Sequence, residues 1–120
     1  MILKINILGT DYTIERREYK ADPLFEKMEC DGYCDGMLKL IVVCIFQTHP
    51  LYEEDSDNRC ELAEKETLRH EIVHAFFNES GLKGSSLQYG GGWAKNEEMV
   101  DWIAIQFPKL LQAFKDADCM

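Results

Sequence analysis

The chain has 120 residues, of which 46% are hydrophobic and 29% charged, so it is long enough for one globular domain over residues 1–120 and unlike a disordered protein. Its formal net charge of −9 argues against a nucleic-acid-binding surface, because binding phosphates requires clustered Lys and Arg. The longest apolar run, residues 40–46, is too short to cross a bilayer, and Lys4 and Asn6 interrupt the apolar N-terminus before a signal peptide can form. Five cysteines are an odd number, so we expect reduced thiols, a cytoplasmic location and no membrane partner.

Strand signals dominate the first half of the chain. Residues 1–18 alternate apolar and polar side chains around a Gly-Thr-Asp turn, which predicts a β-hairpin. A short helical turn is expected at residues 24–28, and the Asp- and Gly-rich residues 31–36 are expected to form a second turn. Residues 37–46 are β-branched and mostly apolar, and they give the strongest strand signal. Residues 47–59 are expected to be a solvated acidic loop.

A long helix is predicted over about residues 59–80. Asn58 or Asp57 is expected to cap its N-terminus, and Gly81 has the residue type that commonly follows a helix C-terminus. Residues 72–77 are apolar almost all round the helix, which predicts that this part is buried.

A last helix is predicted to start near Asn96, after a glycine-rich connection over residues 83–95. Pro108 interrupts its helical pattern, so we expect a kink or break after Gln106. The predicted fold class is therefore α+β, with a small mixed or antiparallel sheet of three to four strands packed on two helices.

The first long helix contains the motif His-Glu-x-x-His at residues 70–74. Positions four apart lie on one face of a helix, so His70 and His74 can bind the same Zn²⁺. Glu71 lies beside the first ligand and can accept a proton from a metal-bound water. The remaining histidine, His49, precedes a proline and is interpreted as an ordinary loop residue.

A third ligand is expected from a carboxylate downstream, because the extended motif with a third histidine is absent. The apolar stripe of the last helix, extended back by one turn, reaches Glu97, which is the first candidate. Glu98 is the alternative ligand. Asp101, one turn beyond Glu97, is positioned to accept the spare N–H of a ligand histidine and fix its tautomer.

These two motifs resemble those of the gluzincins, zinc metallopeptidases that combine H-E-x-x-H on one helix with N-E-x-x-x-D on a following helix. The chain has His70-Glu71-x-x-His74 and Asn96-Glu97-x-x-x-Asp101. It also resembles the small ImmA/IrrE-type zincins. The resemblance implies a zincin-like fold in a minimal form, because 120 residues leave no room for the lower subdomain that usually builds the far cleft wall. It also implies zinc ligands His70, His74 and Glu97, a catalytic Glu71, and Asp101 behind a histidine.

The function expected from the motifs and the resemblance is hydrolysis of peptide bonds in a peptide or protein substrate, through a zinc-bound water with Glu71 as general base. Tyr89, in the glycine-rich connection, is a candidate oxyanion helper. The alternative is a zinc-bound regulatory or protein-interaction module with little or no turnover, and a third interpretation is a helical domain without metal. An extended substrate is expected to pair with the edge of the sheet, but the sequence does not say which strand forms that edge.

Overall fold

A computed structural model describes residues 2–81 and 96–120 of the chain. Its architecture is α+β, as expected. Four strands form one mixed sheet. A short helix, α1, lies between the second and third strands in chain order, and two long helices follow in the second half of the chain. The elements in chain order are β1 (Ile2–Ile7), β2 (Thr10–Arg17), α1 (Pro23–Lys27), β3 (Gly32–Asp35), β4 (Leu40–Cys44), α2 (Asp57–Glu79) and α3 (Glu97–Asp116). Short 3₁₀ turns lie at Tyr19–Ala21, Phe46–Thr48 and Pro50–Tyr52.

The sheet has the strand order β1-β2-β4-β3. The predicted hairpin is confirmed, because β1 and β2 pair antiparallel. Strand β4 pairs in parallel with β2 and antiparallel with β3, so the sheet is mixed. Strands β1 and β3 therefore form its two edges.

The prediction of a turn at residues 31–36 is wrong, because β3 occupies most of it and the chain turns after Asp35. The Asp35 side chain accepts hydrogen bonds from the backbone N–H groups of Met37 and Leu38, at 2.9 Å each, and Lys39 has a positive φ of 56°. Met37 and Leu38 are strongly exposed. Their apolar side chains extended the strand signal too far, and β4 begins only at Leu40.

The core is built on both faces of β4, since alternate residues of a strand point to opposite faces. On one face, Ile41 and Val43 join a buried cluster that includes Ala75 of α2. On the other, Val42 packs in a second cluster with Phe25 of α1. Helix α2 therefore lies directly on the sheet, and α3 packs against α2.

Both ends of α2 are fixed by polar side chains. Ser56, rather than Asn58 or Asp57, is the N-cap, and its Oγ accepts a hydrogen bond from the backbone N–H of Arg59 at 3.2 Å. At the other end, the Glu79 carboxylate accepts hydrogen bonds from Thr10, from the buried Tyr12 and from Lys39, at distances of 2.7–3.0 Å. Gly81 has φ of 82°, the left-handed conformation expected after a helix C-terminus.

The expectation that residues 72–77 are buried all round is wrong. Ala75 is fully buried, but Phe76 remains 40% exposed. The reason is that α3 covers only part of the surface of α2 that faces away from the sheet, leaving an apolar groove lined by Ile72, Phe76 and Phe107 among others.

Helix α3 starts where predicted, with Asn96 as its N-cap and the Asn96 side chain accepting a hydrogen bond from the Met99 N–H at 3.0 Å. Of the kink or break predicted at Pro108, the break is wrong, because the helix continues through the proline to Asp116. A proline removes the N–H that would bond the carbonyl four residues earlier, here that of Ala104. That carbonyl instead accepts a hydrogen bond from Nε of Arg69 in α2, at 2.6 Å.

Two further sequence features can be checked in the described residues. No disulfide joins any of the five cysteines in the part of the chain that the structure describes. Neither long helix combines the length and apolar character needed to cross a bilayer within residues 2–81 and 96–120.

Candidate metal centre

Helix α2 presents two imidazoles side by side. His70 and His74 are one turn apart, and their ring centroids are separated by 4.8 Å. The two Nε2 atoms lie 3.2 Å from each other. Both side chains are largely buried but not sealed, with 23% and 21% of their surfaces exposed. The histidines of the motif thus converge on one point at the surface of α2.

The start of α3 brings a carboxylate to the same point. The Asn96 cap makes Glu97 the first residue of the helix, facing α2. One oxygen of Glu97 lies 3.1 Å from Nε2 of His70, and the other lies 3.1 Å from Nε2 of His74. We call these three side chains, His70, His74 and Glu97, the ligand cluster.

Asp101 orients one of the two histidines. Its Oδ1 lies 2.6 Å from Nδ1 of His70, so it accepts the Nδ1–H proton of that ring. Neutral His70 then turns the lone pair of Nε2 towards His74 and Glu97, a tautomer assigned from this hydrogen bond. When Nε2 of His74 is also unprotonated, the two nitrogens and the Glu97 carboxylate direct their lone pairs to one point, where they could hold a cation.

The spacing within the ligand cluster fits zinc. Tetrahedral Zn²⁺ holds its nitrogen and oxygen ligands at about 2.0–2.1 Å, which places neighbouring ligand atoms about 3.3–3.4 Å apart. The three side chains already have separations of 3.1–3.3 Å. Two imidazoles and one carboxylate are also a donor set that zinc uses in catalytic sites, where a fourth position stays open.

Glu71 lies beside the ligand cluster and is buried, with only 5% of its surface exposed. Its Oε1 is 3.8 Å from Nε2 of His70, and its Oε2 has no hydrogen-bond partner within the described residues. Burial raises the pKa of Glu71 from 4.5 to about 7, an effect that His70 opposes and that the nearby Glu97 and Asp101 increase. Burying a carboxylate in this way lowers the stability of the folded protein. Groups with strongly shifted pKa values concentrate at functional sites.

The ligand cluster opens into a cleft of about 460 Å³ between α2 and the edge of the sheet. Strand β3 forms the opposite wall, with Gly32, Tyr33 and Cys34 lining it. Within residues 2–81 and 96–120, β3 pairs with β4 alone and is an edge strand of the sheet. Sequence reasoning missed this strand, although Asp35-Gly36 between two short β-forming stretches is a hairpin signal that would have located it.

The remaining sequence candidates lie elsewhere. Glu98 lines a different surface with Met99 and Trp102, away from the histidines. His49 is buried; its Nδ1 accepts the Leu51 N–H at 3.0 Å, and its Nε2 lies 3.1 Å from Asp31. The candidate oxyanion helper Tyr89 lies outside the described residues.

Comparison with known proteins gives no family: no protein-family model, no curated protein and no solved structure matches the chain.

Proposed function

We propose that this chain is a minimal zincin-like metallopeptidase. The observation that carries the proposal is the convergence of His70, His74 and Glu97 within 3.1–3.3 Å, next to the buried carboxylate of Glu71, one oxygen of which has no hydrogen-bond partner in the described part of the chain. A purely structural zinc site is usually closed by four protein ligands and needs no such carboxylate.

In this proposal His70, His74 and Glu97 hold one Zn²⁺, and Asp101 keeps the His70 ring in the tautomer that presents Nε2. When bound, zinc supplies a Lewis acid that polarises a substrate carbonyl and makes water more acidic. Glu71 serves as general base. Its low exposure and raised pKa suit a group that accepts a proton from the attacking water and returns it to the leaving amine.

The substrate proposed is an extended peptide. Among the described residues nothing pairs with the outer edge of β3 beside the ligand cluster, and an extended segment can add to such an edge through main-chain hydrogen bonds. This pairing would lay the scissile bond along α2, within reach of Glu71. Because this pairing uses the main chain of the substrate, any preference for particular substrate side chains would come from the residues that line the cleft.

The test is digestion of a peptide library by the zinc-loaded full chain and by two variants. Glu71→Gln is expected to retain zinc and to lower cleavage about 10²- to 10⁴-fold, since it removes the general base. Glu61→Gln is the matched control, because Glu61 is an exposed glutamate of the same helix, and it should cleave like wild type. Equal cleavage by wild type and Glu71→Gln would overturn the assignment. Zinc binding without cleavage by wild type would favour the regulatory or interaction module instead.

A further inference from the structure

The hydrogen bond between Arg69 and the carbonyl of Ala104 joins α2 to α3 at an unusual acceptor. Within an α-helix the carbonyl of Ala104 would accept from the N–H of residue 108, but that residue is Pro108 and has none. Ala104 is only 1% exposed, which leaves its carbonyl little access to water. A buried carbonyl without a hydrogen-bond partner lowers the stability of the folded protein. Here Nε of Arg69 donates a hydrogen bond to this carbonyl, at 2.6 Å.

This bond lies close to the ligand cluster on both helices. Arg69 immediately precedes His70 on α2. On α3, Ala104 is three residues after Asp101, about one turn away. Any sliding or rotation of α3 against α2 would therefore strain the bond and move Glu97 and Asp101 away from the histidines together. Metal ligands need placement within about 0.5 Å, so such a fixed point matters.

We propose that Arg69 and Pro108 form a positioning pair. Pro108 frees the carbonyl of Ala104, Arg69 binds it, and the resulting tie holds the carboxylates of α3 against the histidines of α2. The proline within α3 is then a requirement of the site, since an ordinary residue would satisfy the carbonyl inside the helix. The effect on metal binding rests on the proposed function, but the pairing itself does not.

A double-mutant cycle on the metal-free full chain tests the pairing. Arg69→Met keeps much of the apolar stem and removes the donor. It should lower the urea midpoint in the wild-type background, because the carbonyl of Ala104 loses its partner. In the Pro108→Ala background the same substitution should lower it much less, since residue 108 then supplies an N–H. Additive effects of the two substitutions would overturn the pairing, whether or not the chain binds zinc.

Zinc affinity tests the positioning role. In competition with a chelator, Arg69→Met is expected to bind zinc about tenfold more weakly than wild type, at the lower end of the 10- to 100-fold typical of a residue that hydrogen-bonds a metal ligand directly. Lys65→Met is the matched control, because Lys65 is an exposed basic residue one turn earlier on α2 and takes no part in the tie. Equal affinity of Arg69→Met and Lys65→Met would overturn the role of the pair at the metal site. Absence of zinc binding by wild type would instead count against the proposed function, leaving the cycle above to decide the pairing.

Discussion

The Glu71 carboxylate lowers the stability of the folded protein, and packing does not explain why it is there. It is buried, and one of its oxygens has no partner among the described residues. Proteins retain such groups where function needs them, at the expense of stability. In the proposed mechanism, the same burial that lowers stability gives the general base a pKa near neutrality.

Glu71→Gln is therefore expected to stabilise the metal-free protein. Burial raises the pKa of Glu71 from 4.5 to about 7, so the folded state binds more protons than the unfolded state between these values. Stability from this group is full below pH 4.5 and is lost as the pH rises to about 7. The variant should thus be more stable than wild type by roughly 1–3 kcal/mol at pH 8, and the two should converge near pH 4. Urea unfolding at both pH values measures this, and a variant less stable than wild type at pH 8 would contradict it.

Asp101→Asn tests the orientation of His70. The side chain is more than half exposed, so the substitution should leave the fold intact. Replacing the carboxylate that accepts the His70 Nδ1–H by a neutral carboxamide, a weaker acceptor, should lower zinc affinity by about 10- to 100-fold. Glu98→Gln is the control, because it removes a neighbouring carboxylate that faces away from the histidines. Chelator competition gives both affinities; weak binding only in Glu98→Gln would show that the alternative ligand was the correct one.

At the scale of single residues, the sequence predicted well which side chains of α2 and α3 lie close together. Positions four apart on a helix have a fixed geometry, so His70 with His74 and Glu97 with Asp101 followed from spacing alone. That the two helices meet with these faces together was an extrapolation from the apolar stripe of α3, and the structure has that arrangement. The role of Arg69 did not follow, because its acceptor is a backbone atom that only the helix packing brings close.

Among the elements, β3 decides the shape of the cleft, and two glycines set its distance from α2. A Cβ added at Gly32 would lie 2.9 Å from Cγ2 of Thr67 and 3.0 Å from the backbone oxygen of Val42. A Cβ at Gly36 would lie 2.9 Å from Nδ2 of Asn78, the end of a flexible side chain. Along α2, the closest contacts of the two glycines, Thr67 and Asn78, lie on either side of the two histidines.

Gly32→Ala is expected to destabilise the protein by about 1–3 kcal/mol and to reduce peptide cleavage, because β3 must move away from α2. Gly36→Ala is the matched change one residue beyond the end of β3, and it should cost less, since Asn78 can turn aside. Adding Thr67→Ser to Gly32→Ala removes the closest methyl group and should recover part of the loss. Urea midpoints and cleavage rates measure each variant; equal losses at the two glycines, with no recovery, would contradict this account.

Tertiary context explains the elements that the sequence misjudged. Residues 32–35 have the composition of a turn, and they form a strand because β4 offers them an antiparallel partner. Pro108 has the local signature of a helix break, yet α3 continues through it, and the carbonyl of Ala104 accepts its hydrogen bond from Arg69 of α2. In both cases the deciding contact comes from a segment distant in sequence.

Over the whole molecule, α2 lies between the sheet and α3, and the ligand cluster lies where α2, the start of α3 and the edge of β3 meet. The sequence predicted the α+β class and, from periodicity, three of the four strands, within an expected sheet of three to four strands. It did not predict the strand order, because the parallel pairing of β2 with β4 depends on how the segment between them crosses.

The central claim is that His70, His74 and Glu97 together hold one zinc ion, and the zinc content of the purified full chain, measured by native mass spectrometry, tests it most directly. The account predicts one zinc per chain in wild type and in Glu98→Ala, and loss of zinc in His70→Ala, His74→Ala and Glu97→Ala under the same conditions. A wild-type chain without zinc after loading, or a zinc content unchanged in the two histidine variants, would contradict it.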